Sequence, residues 1–247
     1  MKLKESNGNM YNWVTHTHWH IGGECPHKCV YCYENRGGKR APDLCGPLKL
    51  NEESFAVHMG EGKKIFIDHR NDLFCKEMPS KWISRVLAHC ETFPDNQYIF
   101  QTKNPSRYFE FHQRFERMNC LLGCTIETNR DLPNDFTTAP QPSTRARQME
   151  TLTGHFRSLT TFITIEPLVQ FDLDKFLQML VLISPNFINV GMDSKKNNLS
   201  EPTVAEVEAL LFGINKMGVE MREKHNLTRL LGYDAAAADA PWRKGKS

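Results

Sequence analysis

The sequence predicts an α/β fold, an open partial (β/α)6 barrel whose parallel strands are joined by outer helices. The first observation behind this prediction is that short apolar segments alternate along the chain with longer amphipathic ones. Such alternation is typical of parallel strands joined by crossover helices. The second observation is that the strand-like segments number six, fewer than the eight strands of a closed barrel. We therefore expect a sheet that stays open.

The predicted strands are rich in Ile, Val, Phe and Thr and end mostly at Gly, Pro, Asn or Asp. They cover residues 12–21, 64–68, 97–101, 121–126, 160–165 and 187–190. The predicted helices carry apolar residues at spacings of three and four, and they cover residues 80–90, 105–117, 174–183 and 202–224. The Pro- and Thr-rich residues 133–144 are predicted to form a surface loop, a candidate lid. Residues 1–230 are expected to form one domain, and residues 231–247 a tail, for which a frayed terminus is favoured over an appendage that folds back.

The composition excludes several classes of protein. The 247 residues are 40% apolar and 24% charged, which suits a globular chain with a sizeable core. A formal net charge of +2 gives no general basic field for nucleic acid. The longest apolar run, residues 176–183, is far shorter than the roughly 20 residues that span a bilayer. The charged start lacks the apolar segment of a secretory signal, so we expect a cytoplasmic protein.

Three of the eight cysteines, Cys25, Cys29 and Cys32, are clustered with the spacing Cys-x3-Cys-x2-Cys. In a reducing compartment clustered cysteines indicate metal or redox chemistry rather than disulfides. The loop directly follows the first predicted strand, where α/β folds build their sites. Structural zinc sites usually have two separated ligand pairs. Three thiolates on a four-iron cluster would instead leave one iron open to a small molecule, which is a catalytic arrangement.

With Tyr31 directly before the last cysteine, this loop resembles the signature of the radical S-adenosylmethionine (radical SAM) superfamily. The resemblance implies that Cys25, Cys29 and Cys32 are the metal ligands of a 4Fe–4S cluster, and that Tyr31 packs near the adenine of SAM. It also implies that one electron from the cluster cleaves SAM, giving a 5′-deoxyadenosyl radical that abstracts hydrogen from a substrate. SAM and an electron donor such as flavodoxin or ferredoxin are the implied partners.

Weaker motifs extend the resemblance. Residues 72–74, 101–105, 123–128 and 165–168 are similar to a phage- and bacterium-borne branch of unassigned radical SAM proteins, itself similar to the spore photoproduct lyase group. That similarity, with a basic patch at Arg36, Lys39 and Arg40, favours a nucleotide or a modified base in DNA as the substrate. Isomerisation, cleavage and addition all remain open as outcomes. A small-molecule or peptide substrate is the alternative within this enzyme class. The cytoplasm would be that of a bacterium, or of the host if the protein is phage-encoded.

Candidate SAM-binding residues lie at the ends of the middle strands. Lys103 matches the lysine that binds the SAM carboxylate in lyase-like relatives, with a solvated loop lysine as the alternative. Thr125 and Glu127 project to one face of the fourth strand, where relatives place polar groups on SAM. The Gly-Gly-Glu motif of many superfamily members is missing after the second strand. Its contact with the SAM amino group would fall to one of the polar residues found there, namely Asp68, Asn71 or Asp72.

Glu166 and Asp193 end the fifth and sixth strands and are the candidate catalytic residues. A capping or salt-bridged carboxylate is the alternative for each of them. Elsewhere, Cys75 or Cys124 could donate hydrogen to a product radical if its thiol faced the cavity.

Three histidines, at positions 16, 18 and 20, alternate along the first strand. A three-histidine metal site is one interpretation. Alternate residues on one strand point in nearly the same direction, so hydrogen-bonded histidines that line the barrel are favoured.

A non-enzymatic interpretation stays open beside the radical SAM one. The cysteine loop, completed by Cys45 or another cysteine, could bind zinc or a four-cysteine cluster in a nucleic-acid-binding module without radical chemistry.

Overall fold

A mostly parallel sheet forms the centre of the computed structural model, which describes residues 3–8, 11–34, 41–195 and 197–244. In chain order the strands are β1 (Lys4–Glu5), β2 (His16–His18), β3 (Ile21–Gly22), β4 (Lys49–Leu50), β5 (Lys64–Ile67), β6 (Gln97–Thr102), β7 (Cys120–Thr125), β8 (Thr160–Ile165), β9 (Phe187–Val190) and β10 (Glu220–Glu223). Eight of them form one sheet in the order β1-β2-β5-β6-β7-β8-β9-β10, while β3 and β4 form a separate antiparallel pair. Only β1 runs antiparallel to its neighbour in the main sheet.

Helices join successive parallel strands, as the α/β prediction requires. They are α1 (Ser80–Glu91), α2 (His112–Phe115), α3 (Pro142–His155), α4 (Leu173–Ile183), α5 (Val204–Lys216) and α6 (Thr228–Leu231). Shorter 3-10 helices cover Pro42–Leu44, Glu52–Ala56, Pro105–Phe111, His225–Leu227 and Pro241–Lys244. The sheet does not close on itself, because β1 and β10 lie at opposite ends of its strand order. The predicted α/β fold with an open parallel sheet is confirmed, with two strands more than the six expected.

The predicted helix at residues 202–224 is wrong in its second half. Thr203 and Glu206 form a reciprocal capping box that starts α5, but the helix ends at Lys216. Gly218 then adopts a φ of 72°, which turns the chain into β10 beside β9. The segment that was expected to extend the helix therefore adds a parallel strand to the sheet.

Two further elements differ from the expectation. Residues 105–117 form a 3-10 helix followed by the short α2 rather than one α-helix. Helix α3 was not predicted at all, and it begins at Pro142, so the predicted loop at residues 133–144 ends earlier than expected. The buried stripe of α3 contains Arg145 in place of an apolar residue, which interrupts the hydrophobic period.

The two faces of the sheet have different neighbours. On the inner face Phe66, Ile99, Leu121 and Phe162 pack together with Tyr11. The residues that alternate with them, such as Ile65 beside Phe66, belong to the larger core between the sheet and the helices.

The described part of the tail also belongs to the larger core. Trp242 is 2% exposed and its Nε1 donates to the carbonyl oxygen of Ala235 at 2.8 Å. The expected fraying is therefore wrong as far as residue 244. No helix among the described residues is long and apolar enough to cross a membrane.

Gly123, in the middle of β7, permits the close packing of the inner face. A Cβ there would lie 2.1 Å from Cζ of Phe162, whose ring is stacked on Phe187 at 4.9 Å. We expect Gly123→Ala to lower the free energy of unfolding by about 1–3 kcal/mol, measured by urea denaturation. Gly154→Ala in α3 meets nothing within 4 Å and is the control. A loss of stability in the control as large as that in Gly123→Ala would contradict the packing argument.

Candidate active site

The three clustered cysteines occupy a loop, residues 25–32, that follows β3 near the carboxyl end of β2. We call it the cysteine loop. Cys29 is buried, while Cys25 and Cys32 are partly exposed. In the described part of the chain none of the three forms a disulfide. The spacing thus brings three soft ligands to the edge of the sheet where the parallel strands end.

A second segment, the covering loop of residues 133–141, fixes the cysteine loop from outside. The amide of Val30 donates to Phe136 at 3.0 Å, and the amide of Thr138 donates to His27 at 2.9 Å. The thiol of Cys29 lies 3.2 Å from the hydroxyl of Thr137. The predicted surface loop therefore packs on the cysteine loop and contacts the Cys29 thiol, and these hydrogen bonds hold it there.

Asp72 ties the cysteine loop to the sheet. Its Oδ2 lies 2.8 Å from Nε2 of His27 and accepts from the amide of Lys103 at 2.8 Å. Its Oδ1 accepts from the Thr102 hydroxyl at 2.7 Å and the Phe74 amide at 2.9 Å. Burial would raise the pKa of Asp72, but His27 and these hydrogen bonds outweigh it and lower the pKa. A charged carboxylate with four protein partners is a positioning group for the loop.

The other two polar residues after β5 also have protein partners. Asn71 donates to the Gly23 carbonyl at 3.1 Å and accepts from the Asp72 amide at 3.0 Å, so it supports the turn before the cysteine loop. Asp68 accepts from the backbone amides of His20 and Ile21 at 2.6 and 2.9 Å. These contacts place Asn71 and Asp72 next to the cysteine loop, and Asp68 beside His20.

Glu127 is the centre of a buried charge cluster. Its carboxylate accepts a short hydrogen bond from the hydroxyl of Tyr31, and it lies 2.8 Å from Nη1 of Arg145 and 3.9 Å from Nζ of Lys103. Both Glu127 and Arg145 have side chains with no exposed surface. Burial would raise the pKa of Glu127, but Arg145 and Lys103 outweigh it and lower the pKa. The cluster therefore links Tyr31 of the cysteine loop to the ends of β6 and β7.

Lys103 is charged in this setting. Burial alone would lower its pKa, but the neighbouring Cys29 and Glu127 outweigh it, and the pKa is raised. Its ammonium lies 5.3 Å from the centre of the Tyr31 ring, within cation–π range. The side chain keeps 17% of its surface exposed. Lys103 thus holds a positive charge between the cysteine loop and the sheet.

Arg145 is the main site residue that sequence reasoning missed. It donates to the Thr125 carbonyl from Nη1, while its Nε and Nη2 are buried without a hydrogen-bond partner. Buried polar atoms in native structures are nearly always paired, so these two unpartnered nitrogens are donors left over for a water or ligand acceptor. The sequence signal was an arginine placed on the buried stripe of a helix, with Ala146 and Met149.

Thr125 belongs to a network of neutral polar groups on the inner face. Its hydroxyl accepts from Nε2 of Gln101 at 2.8 Å. The other end of Gln101 accepts from the Tyr11 hydroxyl, which also lies 2.7 Å from the Thr164 hydroxyl. Thr164 in turn accepts from Nδ2 of Asn189 at 3.2 Å, and Oδ1 of Asn189 is buried without a partner. The network extends from the Glu127 cluster across β6, β7, β8 and β9.

Glu166 and Asp193 lie beyond β8 and β9 and do not touch the Glu127 cluster through any described hydrogen bond. Glu166 is paired with Nζ of Lys224 at 2.5 Å and accepts from Asn226 at 2.6 Å. Lys224 lies over the ring of Tyr11 at 4.9 Å, which places Glu166 at the border of the inner network. Asp193 accepts from the Lys195 amide at 3.0 Å and from Asn197, so it caps a turn.

Several other candidates lie elsewhere. Cys75 and Cys124 are fully buried in the larger core, and Cys124 projects from β7 on the outer side of the sheet. The histidines at 16 and 18 pair in register with Ile65 and Ile67, on that same outer side, and so do not line the barrel. The basic patch at positions 36, 39 and 40 falls outside the described residues.

Comparison with known proteins decides the fold. No protein-family model and no curated protein matches the sequence. A solved structure of spore photoproduct lyase with bound S-adenosylmethionine and dinucleoside spore photoproduct is similar at a TM-score of 0.54 and 13% identity, covering 75% of this chain and 59% of that one. The chain shares the α/β fold of this lyase over three quarters of its length. It also resembles Streptococcus suis SuiB bound to the precursor peptide SuiA, at a TM-score of 0.59 and 10% identity, covering 86% of this chain and 49% of SuiB.

Both neighbours are radical SAM enzymes, so the predicted resemblance is confirmed at the level of the fold. A second SuiB structure, bound to S-adenosylmethionine, is similar at a TM-score of 0.55 and 10% identity, covering 86% of this chain and 51% of SuiB. The chain spans 59% of the length of the lyase and about half of SuiB. Each neighbour therefore contains much that this chain does not match.

Proposed function

We propose that the chain is a radical SAM enzyme in which Cys25, Cys29 and Cys32 hold a 4Fe–4S cluster beside a SAM site. The observation that carries the proposal is the position of the three thiols, at the carboxyl edge of a radical SAM sheet and next to the buried charge cluster of Glu127. When bound, such a cluster reduces SAM, whose cleavage supplies a 5′-deoxyadenosyl radical that takes hydrogen from the substrate. Flavodoxin or ferredoxin would serve as the electron donor, in the cytoplasm.

The donor set fits a cluster better than a single zinc ion. Structural zinc sites usually combine two separated ligand pairs, whereas Cys25, Cys29 and Cys32 lie together on one loop. Three soft thiolates of this kind suit an iron–sulfur cluster and leave one iron open to SAM.

The chain supplies charge and order around the proposed SAM site. Lys103 and the unpartnered edge of Arg145 provide positive groups for the SAM carboxylate, and Glu127 holds both in place. Tyr31 is fixed by Glu127 and packs on Phe136 at 5.4 Å, where its ring can border the adenine. Thr125, bonded through its own carbonyl to Arg145, contributes a hydroxyl on the inner face.

The remaining candidates receive supporting roles in this proposal. Asn71 and Asp72 keep the cysteine loop in place against the sheet and set the distance at which the amino group of SAM can approach. Glu166, with its partner Lys224, borders the inner network where a substrate would lie. Asp193 orders the turn after β9 at the same edge.

For the substrate we propose a nucleotide or a modified base in DNA. Support comes from the fold shared with spore photoproduct lyase structures that hold a dinucleoside photoproduct, and from the neutral donors and acceptors of the inner face, which suit an uncharged base. The SuiB structure with its precursor peptide makes peptides the second candidate. Deuterated nucleotides, DNA and peptides should be incubated in turn, with deuterium in 5′-deoxyadenosine as the readout. Transfer from a peptide but from no nucleotide or DNA would contradict the proposed substrate.

Lys103→Ala is expected to weaken SAM binding while leaving the iron content unchanged, because it removes a positive charge near the site but no thiolate. A charge-assisted hydrogen bond contributes about 1.5–3 kcal/mol, so we expect at least a tenfold increase in Kd. Equilibrium binding of SAM to the reconstituted protein measures this change. Lys81→Ala, at an exposed position on α1, is the matched control. Equal SAM affinity in both variants would contradict a SAM-binding role for Lys103 and would favour the alternative of a solvated loop lysine.

A further inference from the structure

A second cluster of ligand-type side chains lies on the outer side of the sheet, away from the cysteine loop. His18 ends β2, His20 follows two residues later, and His89 reaches them from α1. Their exposed fractions are 2%, 0% and 9%. Neither the proposed enzyme nor its SAM site uses these residues, and polar rings buried between a sheet and a helix need a specific reason.

The three rings meet closely. Each histidine offers one ring nitrogen, and these three nitrogens all lie within 4.8 Å of one another. Nε2 of His20 lies 2.9 Å from Nδ1 of His89, and the rings of His18 and His20 are nearly perpendicular with centroids 4.5 Å apart. In the described part of the chain no other three His, Cys, Asp or Glu residues come together in this way.

The second nitrogen of every ring is held by an oxygen acceptor. Nε2 of His18 lies 3.0 Å from the Ser54 carbonyl, and Nε2 of His89 lies 3.1 Å from the Val57 carbonyl. Nδ1 of His20 lies 3.3 Å from Oδ2 of Asp68. Metal-binding histidines almost always donate their other ring N–H to a carboxylate or a backbone carbonyl, which fixes the tautomer and aims the free lone pair at the metal.

A count of protons supports the same interpretation. Asp68, His20, His89 and the Val57 carbonyl form a row of three contacts with an acceptor oxygen at each end. Three hydrogen bonds would need three protons, whereas two neutral imidazoles carry only two. The contact between Nε2 of His20 and Nδ1 of His89 therefore lacks a proton when both imidazoles are neutral, so two lone pairs face each other there. A metal ion held between these two nitrogens would use both lone pairs, as would one additional proton.

We propose that His18, His20 and His89 bind a divalent transition-metal ion through Nδ1, Nε2 and Nδ1 respectively. Three imidazoles are a ligand set that suits zinc, and zinc is the ion we assign. The site joins β2 to α1 and does not depend on the proposed radical chemistry.

The test removes the competing thiolates first. In a variant with Cys25, Cys29 and Cys32 all replaced by Ala, we expect one zinc ion per chain by elemental analysis. On this background His89→Ala should lose the ion, and His16→Ala should keep it, because His16 is on the same strand but outside the cluster. After zinc is exchanged for Co²⁺, the spectrum should lack the charge-transfer bands of cysteine ligands.

Two results would overturn the assignment. One is a triple-cysteine variant that binds neither Zn²⁺ nor Co²⁺, and the other is His89→Ala with undiminished metal content. Should His89→Ala fail to fold, the triple-cysteine variant itself decides the question. Its Tm should fall when a chelator removes the metal and recover when Zn²⁺ returns. A Tm that changes neither with the chelator nor with added Zn²⁺ would contradict the metal site and would indicate a histidine network without metal.

Discussion

Cys29→Ala is expected to abolish formation of 5′-deoxyadenosine from SAM. Cys29 is the most buried thiol of the cysteine loop and lies 3.2 Å from the Thr137 hydroxyl, so its loss removes one of the three proposed cluster ligands from the centre of the loop. Two remaining thiolates hold an iron–sulfur cluster poorly. The measurement is the amount of 5′-deoxyadenosine formed anaerobically with a reductant, together with the iron content.

The matched control for this experiment is Cys45→Ala. Cys45 is an exposed thiol outside the cysteine loop, so its loss should leave iron content and turnover unchanged. Continued formation of 5′-deoxyadenosine by Cys29→Ala would show that the cysteine loop does not take part in SAM cleavage. Equal loss of activity in both variants would also contradict the account, because it would make Cys45 a ligand.

Glu127→Gln is expected to give the largest loss of stability. The substitution leaves the guanidinium of Arg145, which has no exposed surface, without its counter-charge. Removing one member of a buried ion pair typically costs about 3–5 kcal/mol, because the other charge stays buried and uncompensated. Urea unfolding of the metal-free protein measures the change in the free energy of unfolding. SAM affinity should fall as well, since Glu127 also orients Lys103 and Tyr31.

Two controls define the origin of that loss. Glu52→Gln breaks a pair with Arg85 on the exposed surface and should leave stability unchanged. Glu127→Gln combined with Arg145→Met should recover part of the lost stability, because the unpaired charge is gone. An unfolding free energy for Glu127→Gln equal to that of the wild type would contradict the buried charge cluster.

The sequence best predicted those features that depend on residues close together along the chain. The strands at 160–165 and 187–190 match β8 and β9 residue for residue, because buried parallel strands are continuous apolar runs with clear ends. The cysteine loop was equally visible, since its spacing is local. Helix α3 was missed because a buried arginine occupies its apolar stripe, and the end of α5 was missed because one glycine turn separates a helix from a strand of similar composition.

The rest of the site depends on contacts between residues distant in sequence. Nothing in the local pattern around Arg145 pairs it with Glu127, and nothing in α1 indicates that His89 meets His18 and His20. The alternating histidines were a real signal, but a single strand shows only the direction in which they point. The partner that completes the cluster comes from a helix that lies 69 residues along the chain from His20.

The most direct test of the central claim is the electron paramagnetic resonance spectrum of the reduced, anaerobically reconstituted protein before and after SAM is added. If Cys25, Cys29 and Cys32 leave one iron of a 4Fe–4S cluster open to SAM, the spectrum of the reduced cluster should change when SAM binds. Brown protein whose spectrum is the same with and without SAM would contradict the account, and so would colourless protein that contains no iron.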